Sequence, residues 1–148
     1  AVFTFMWKGI PLLYSGQELS NYKRLAFFDK DPIDWTNAPQ LASFYKTLIQ
    51  LRKQYACIVE GDSFNLPTSN NQVMAFLRYD HQPEKNAEKQ IILVLLNFSD
   101  QIQKVVLAHD YLEGEFTNAF SGLSFAFNKQ VSFELMPGDY FVYVKRES

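Results

Sequence analysis

The sequence predicts a mainly β protein, an antiparallel β-sandwich that is preceded by a helix, a strand, a loop and a second helix. Two observations carry this prediction. From about Cys57 onward, short segments rich in Val, Ile, Phe and Tyr alternate with turn residues, which is typical of sandwich strands. Before Cys57, apolar residues recur at helical spacing, apart from one short apolar run at residues 10–14. We therefore predict two regions, residues 1–56 and the sandwich at residues 57–148.

The composition is that of a globular protein that folds without disulfides. The 148 residues are 47% hydrophobic and 20% charged, and the formal net charge is −2. This balance, with no large cluster of Lys and Arg, argues against a nucleic-acid partner. No apolar run approaches the roughly 20 residues that a membrane span requires, so we expect no membrane partner. The single cysteine, Cys57, excludes an internal disulfide framework and cysteine-based metal clusters.

The first region begins with two predicted elements on either side of a glycine. Residues 1–8 are apolar and favour a helix, and Gly9 suits the left-handed conformation that ends many helices. Residues 10–14 are too few for a helix, and their continuous apolar character predicts a strand buried on both faces. Such a strand needs hydrogen-bond partners on both edges. Since nothing nearby in the sequence supplies them, we expect the chain to be a piece of a larger protein.

A second helix is predicted at residues 37–55. Asn37 is a suitable N-cap, and Pro39 is acceptable in a first helical turn. Apolar side chains three and four positions apart give this helix one packed face, whereas Lys46 and Lys53 lie on the solvent side. The packed face comprises Leu41, Phe44, Tyr45, Leu48, Ile49, Arg52 and Tyr55.

Seven strands are predicted after Cys57. Turn residues such as Pro137 and Gly138 separate them, and the polar run at residues 81–89 predicts a mobile loop. The strands are predicted at residues 73–79, 90–98, 103–107, 114–120, 123–128, 131–135 and 139–145. Because their aromatic residues alternate as in a sandwich core, we expect the core to include Phe76, Phe98, Phe125, Phe133 and Tyr140.

Residues 9–18, GIPLLYSGQE, resemble the segment around the eighth barrel strand in the alpha-amylase family of glycoside hydrolases, family 13. The pattern of that family places Glu nine positions after Gly, with Pro and Tyr between them, and the spacing here is the same. The loop at residues 27–35, which ends in Asp-Trp, and the helix at residues 45–53 resemble the segments that follow in this family. Later segments match by order more than by identity, at residues 61–62, 73–78, 93–99 and 136–140.

The resemblance implies the end of a (β/α)₈ barrel followed by the C-terminal β-sandwich of the family. Active sites in such barrels lie at the C-terminal ends of the strands. The resemblance therefore implies substrate contacts by Tyr14, Gln17 and Glu18, and Trp35 is a further candidate. A retaining glycosidase needs two carboxylates about 5 Å apart, which this family takes from barrel strands that have no counterpart here. We therefore predict no catalytic residue in this chain and no hydrolysis by the chain alone.

Several of these residues have a second interpretation. For Glu18 we favour a structural carboxylate, bonded to backbone amides or to an arginine, over a sugar contact. Asp29, Asp31 and Asp34 lack the spacing of an EF-hand, so we favour a solvated loop over a calcium site. We predict no metal site and no cofactor in this chain, and the resemblance leaves calcium open for the rest of the protein. The loop aromatics are the candidates for sugar stacking, namely Tyr22, Phe28 and Trp35.

Three functions follow from these patterns. The leading one is a structural, barrel-supporting part of a retaining enzyme that acts on starch and maltooligosaccharides. Its partners would be an α-glucan oligosaccharide and an N-terminal barrel domain. The alternatives are a carbohydrate-binding module that uses exposed aromatic residues and a non-catalytic relative of the amylases. For the isolated chain we expect self-association through its apolar faces, and localisation stays open because an export signal would lie upstream.

Overall fold

The computed structural model describes residues 1–21, 23–26, 28–36, 38–80 and 89–147. Within these ranges, three α-helices come first and eight strands follow, with short 3₁₀ turns at Gln17–Leu19 and Asp110–Leu112. The helices are α1 at Val2–Met6, α2 at Ala42–Gln54 and α3 at Ala56–Val59. The strands are β1 at Asp62–Leu66, β2 at Val73–Tyr79, β3 at Lys89–Asn97, β4 at Gln103–Ala108, β5 at Gly114–Asn118, β6 at Ser124–Phe127, β7 at Gln130–Leu135 and β8 at Tyr140–Glu147. The predicted mainly β fold is confirmed.

The strands form two antiparallel sheets. The larger sheet has six strands in the order β1-β2-β3-β8-β5-β6, and the smaller one pairs β4 with β7. All seven predicted strands are present, with small shifts at their ends. The structure adds β1, which pairs with β2 from Asp62 opposite Tyr79 to Leu66 opposite Ala75. This strand escaped prediction because it is short and three of its five residues are polar, so its only apolar residues are Phe64 and Leu66.

The larger sheet is covered on both faces, which gives the molecule three layers. Strand β3 shows this most clearly, because all of its residues from Ile91 to Asn97 are buried. One set of its alternating side chains packs with the helices, and the other set packs with the smaller sheet. The helix-facing residues of the larger sheet are Phe76, Ile92, Val94, Leu96 and Val142. The residues that face them from the helices include Val2, Phe5, Met6, Tyr45, Leu48, Leu51 and Ile58.

The joint between α3 and the larger sheet is tightly packed around Gly61. A Cβ atom at this position would overlap the carbonyl oxygens of Tyr79 and Cys57, so only glycine fits there. Beside it, the buried Arg78 donates hydrogen bonds from Nη2 to the carbonyl oxygens of Ile58 and Gly61, at 2.8 Å each. These contacts fix the end of α3 against β2.

Helix α1 is shorter than predicted. It ends at Met6 rather than Lys8, and Gly9 has a φ of +103°, in the left-handed region expected for it. The reason for the early end lies on α2. The Arg52 guanidinium donates to the carbonyl oxygens of Phe5 at 2.7 Å, Trp7 at 3.3 Å and Gly9 at 2.7 Å. These carbonyls therefore have a partner outside their own helix.

The predicted strand at residues 10–14 is the main correction in the first region. These residues belong to neither of the two sheets that the structure describes. Ile10 is 97% exposed and Leu12 is 78% exposed. An apolar segment becomes a strand only when neighbouring strands pair with its backbone, and the described part of the chain supplies none. Without partner strands, residues 10–14 leave an apolar surface uncovered, as expected.

Helix α2 begins at Ala42, five residues later than predicted. Leu41 occupies the N-cap position, and Pro39 lies before the helix in a turn that its carbonyl closes with the amide of Ala42 at 3.2 Å. The proposed N-cap Asn37 lies outside the described residues. The packed face is centred on Tyr45, Leu48 and Leu51, and the prediction that Ile49 is packed is wrong, since Ile49 is 37% exposed.

Three of the five predicted core aromatics are exposed. Phe76 and Phe133 are buried as predicted, but Phe98 is 67% exposed, Phe125 is 42% exposed and Tyr140 is 38% exposed. Phe98 follows the last residue of β3, and Tyr140 is the first residue of β8, so neither lies in the middle of the sheet. Phe125 lies on β6, the edge strand, at the margin of the larger sheet. Position in the sheet therefore outweighs alternation at these residues.

Candidate functional site

The candidate site begins with the tight turn that follows residues 10–14. The Gln17 amide donates to the Tyr14 carbonyl oxygen at 3.1 Å, and the Tyr14 amide donates back to the Gln17 side-chain Oε1 at 2.9 Å. Gly16 stands between them with a φ of +91°, where a larger residue would be strained. A Cβ atom there would also lie 3.2 Å from Cδ1 of Ile33. The turn is thus fixed from both ends.

Tyr14 and Gln17 line a cleft of about 280 Å³ beside this turn. Tyr14 is 58% exposed, so its ring and hydroxyl are available to a ligand. Three lining residues were missed by the sequence prediction, namely Asn21, Lys23 and Leu25. The only signal for them was their position in the polar segment after the turn. The structure therefore brings two of the four predicted substrate-binding residues into one cleft.

Glu18 lies next to this cleft, in the 3₁₀ turn, and is half-buried. Its backbone carbonyl accepts from the Leu41 amide at 2.9 Å, which ties the turn to the start of α2. Its side-chain Oε2 is enclosed and has no hydrogen-bond partner within the described ranges. The favoured structural interpretation required bonds to backbone amides or to an arginine. No such bond to Oε2 is present among those residues.

Trp35 is separate from this group. Its side chain is 56% exposed, and it is not among the residues that line the cleft. Phe28, in the same loop, is 93% exposed. The third loop aromatic, Tyr22, lies outside the described residues. The two described rings have the exposure that stacking on a sugar requires.

Two of the acidic residues of this loop, Asp31 and Asp34, bind their own neighbours. Asp31 accepts from the Lys23 side chain and from the Ala26 amide, and the hydrogen bond from Lys23 does most to hold the pKa of Asp31 below its usual value. Asp34 accepts from the Thr36 amide at 2.9 Å, and hydrogen bonds from Thr36 lower its pKa. Among the residues whose positions are described, no group of three or more His, Cys, Asp or Glu could hold a metal ion.

An apolar groove of about 430 Å³ lies beside residues 10–14. Its walls come from the start of the chain and from α2, and Arg52 and Lys53 contribute its charged residues. The apolar lining residues are Phe5, Ile10, Pro11, Leu13, Ile49 and Val59. This groove belongs to the uncovered apolar surface at residues 10–14.

The only thiol of the chain is unsuited to covalent chemistry. Cys57 is 1% exposed, and burial raises the pKa of its thiol to about 12, with a further contribution from Asp80. A thiol must ionise to act as a nucleophile. Cys57 therefore packs as a small apolar side chain.

No model of a protein family matches the chain. Alpha-amylase 2 of Dictyoglomus thermophilum is 26% identical over 134 residues, which are 82% of this chain and 21% of that protein. A maltogenic alpha-amylase from Thermotoga neapolitana superposes on 97% of the chain with a TM-score of 0.76 and 18% identity, over 34% of its own length. The alpha-amylase from Geobacillus thermoleovorans, solved with acarbose, covers 99% with a TM-score of 0.72 and 19% identity, over 32% of its length.

These likenesses confirm two predictions. The resemblance to the alpha-amylase family holds over 82% of the chain, and the mainly β fold holds over 97% to 99% of it. The chain spans about a fifth of its curated relative and about a third of these two solved structures. Among the described residues, no helix has the length and apolar character to cross a bilayer.

Proposed function

Since the chain is a relative of the alpha-amylase-type glycosidases, we propose that it is the C-terminal part of an enzyme that cleaves α-1,4-glucans by a retaining mechanism. The observation that carries this proposal is the segment at residues 10–14. It is apolar, it joins neither sheet, and it leads into the turn that holds Tyr14 and Gln17 at a cleft. This is the arrangement expected of a barrel strand with its active-site loop when the neighbouring strands are supplied by other residues.

The two predicted regions would then have different tasks. Residues 1–56 complete the barrel, and residues 57–148 form the sandwich that supports it. The helices of the first region pack on the larger sheet through a shared core, so the sandwich holds them in place. Ile10 and Leu12 would face the remainder of the barrel, where burial of apolar side chains stabilises the contact by about 25 cal/mol per Å².

The chain contributes substrate-binding groups in this proposal rather than the reacting carboxylates. Tyr14 supplies a ring and a hydroxyl, Gln17 an amide, and Glu18 a carboxylate oxygen without a partner among the described residues. Trp35 offers an exposed ring for stacking. The nucleophile and the general acid would come from other barrel strands, about 5 Å apart. The chain itself would need no cofactor, and calcium stays open for the rest of the protein.

The test is hydrolysis of maltoheptaose by the complete protein and by the 148-residue chain alone. We expect cleavage by the complete protein, with retention of the anomeric configuration, and none by the chain. Replacing Glu18 by Gln in the complete protein should lower kcat/KM, whereas Asp29→Asn, in the neighbouring loop, should leave it unchanged. A correctly folded complete protein that leaves every α-glucan intact would overturn the proposal.

A second candidate function is a carbohydrate-binding module. The exposure of Trp35 and Phe28 favours it, because large apolar rings on the surface often mark a binding site. Calorimetric titration of the isolated chain with maltoheptaose distinguishes the two functions. Saturable heat that disappears in the Trp35→Ala variant supports a binding module, and unchanged heat in that variant contradicts this use of Trp35.

A further inference from the structure

Helix α2 holds the segment that leads to the cleft beside Tyr14 at two points. At one end of the segment, the Arg52 guanidinium donates from Nη2 to the carbonyl oxygen of Gly9 at 2.7 Å. At the other end, the Leu41 amide donates to the carbonyl oxygen of Glu18 at 2.9 Å. Because Leu41 is the N-cap of α2 and Arg52 lies in its last turn, a single helix connects both ends of the segment.

The length of α2 matches the length of the segment. A helix rises about 16 Å between positions 41 and 52, at 1.5 Å per residue. An extended chain covers about the same 16 Å between Gly9 and Tyr14, at 3.3 Å per residue. Gly9 is bonded near the C-terminal end of α2 and Glu18 at its N-terminal end. The segment therefore runs antiparallel to the helix, with one contact at each end.

Between these two contacts the segment has little support of its own. Residues 10–13 make no backbone–backbone hydrogen bond within the described ranges, and they belong to neither sheet there. The turn that follows is closed internally by the bonds between Tyr14 and Gln17, and such bonds do not fix where the turn lies. The position of the cleft therefore depends on what holds the ends of the segment.

Helix α2 is itself fixed to the larger sheet. Its residues Tyr45, Leu48 and Leu51 are buried. They share one core with Phe76 and Val94 of the sheet. Because protein cores are close-packed and stiff, a helix with such a buried face has little freedom to shift. The contacts thus run without a break from the sandwich through α2 to the segment at residues 9–18.

The residue type of Arg52 matters because three carbonyl groups share its side chain. Its Nη1 donates to the carbonyl oxygens of Phe5 at 2.7 Å and Trp7 at 3.3 Å, while Nη2 bonds to Gly9. A guanidinium presents its donors in a planar fork of fixed geometry, whereas a lysine ammonium is a point charge on a flexible chain. A lysine here would keep the charge but would not hold the three carbonyls in one arrangement.

We propose that Arg52 is a positioning residue for the cleft beside Tyr14, where it sets the place at which Tyr14 and Gln17 present their polar groups. Arg52 is not among the described residues that line this cleft, so it acts through the segment. The inference rests on the proposed function for its substrate, an α-glucan. Because the chain supplies binding groups rather than the reacting carboxylates, loss of Arg52 weakens substrate binding and leaves the chemical step intact.

The first experiment measures kcat and KM of the complete protein for maltoheptaose. Arg52→Ala should raise KM about tenfold and change kcat by less than about twofold, because displaced binding groups lose uniform substrate binding. Arg52→Lys should raise KM as well, although it keeps the charge. Lys53→Ala is the neighbouring control, which should leave both constants unchanged because Lys53 is exposed. A KM of Arg52→Ala equal to that of the wild type would overturn the inference.

A second control separates positioning from a general loss of stability. Leu107 is 0% exposed and lies on β4, in the core on the opposite face of the larger sheet. Leu107→Ala opens a cavity and should lower the thermal midpoint at least as much as Arg52→Ala. It should nevertheless leave KM unchanged. If both variants raise KM alike, Arg52 acts only through stability and the inference fails.

A third measurement distinguishes this inference from the proposed function, because it needs no substrate. In the 148-residue chain, amide hydrogen exchange at Tyr14 and Gln17 should be about tenfold faster in Arg52→Ala than in Lys53→Ala. If the complete protein cleaves glucans but Arg52→Ala has the exchange rates and the KM of the wild type, only this inference fails. If the complete protein cleaves none and the difference in exchange is present, only the proposed function fails.

Discussion

Residues 10–14 and strand β3 are both strongly apolar, yet they have opposite environments. In β3, Leu93 and Leu95 are 0% exposed, whereas Leu12 in the first segment is 78% exposed. The difference lies in their neighbours. Strand β3 pairs with β2 on one edge and with β8 on the other, and residues 10–14 pair with no strand that the structure describes. Apolar composition therefore predicts that a segment requires burial, and pairing determines whether it becomes a strand.

The largest effect that tests this comparison is on stability. We expect Leu95→Ala to lower the free energy of unfolding by about 2–5 kcal/mol, because it opens a cavity in a close-packed core. Leu12→Ala should change it by less than about 0.5 kcal/mol, as is usual at an exposed site. Urea unfolding of the isolated chain measures both. Equal losses in the two variants would mean that residues 10–14 are covered in solution.

A smaller loss is expected when the support of the first segment is removed. Arg52→Ala leaves the carbonyl oxygens of Phe5, Trp7 and Gly9 without their charged donor. We expect a loss of about 1–2 kcal/mol, with faster hydrogen exchange at residues 5–14. Lys53→Ala is the control, because Lys53 is exposed and adjacent. Exchange rates that are the same in both variants would show that Arg52 does not hold this segment.

The helix-covered face of β3 can be tested by pH. Burial raises the pKa of the Cys57 thiol from 9.0 to about 12, so the folded chain keeps a proton that the unfolded chain releases. The stability linked to this proton is complete below about pH 9 and is lost as the pH rises towards 12. We expect the free energy of unfolding of the wild type to fall as the pH rises above about 9. The fall should be shallower in Cys57→Ala, and identical slopes in urea unfolding would contradict the burial.

Substitutions in the exposed segment at residues 10–14 should have the smallest effect on stability and a clear effect on self-association. We propose that the isolated chain self-associates through Ile10, Leu12 and the adjoining groove, since large apolar patches bind a partner. Replacing Ile10 and Leu12 by Ser should shift the chain towards monomer in light scattering without changing its thermal midpoint. A wild-type chain that is strictly monomeric at high concentration would remove this proposal.

Strand positions were predicted correctly where the burial of a strand follows from its own residues. Strand β2 has the bounds predicted for it, because Val73 and Tyr79 delimit a run flanked by turn residues. The sequence was a poor guide where burial depends on other elements. Strand β1 was missed because it lies at an edge and is mostly polar. Phe98 was wrongly predicted in the core, because the residues next to it in the sequence do not indicate how far it lies from the centre of the sheet.

The same distinction between local and distant interactions applies to the candidate site. The turn at residues 14–18 depends on residues that are close in sequence, because Gly16 allows the positive φ and the Gln17 side chain accepts from the Tyr14 amide. The contribution of Asn21 and Lys23 depends on how a longer segment folds back, and no local pattern reports that. The division into residues 1–56 and 57–148, and the roles of Tyr14, Gln17, Glu18 and Trp35 in sugar binding, stay predictions.

The packing around Gly61 has a consequence for how such a chain can vary over evolutionary time. The carbonyl oxygens of Tyr79 and Cys57 leave no room for a side chain, so every substitution there would push α3 away from the sheet. Most surface positions can change freely at little cost in stability. Homologues that keep this joint should therefore retain glycine here even when their remaining sequence has diverged almost completely, and that invariance would reflect geometry rather than catalysis.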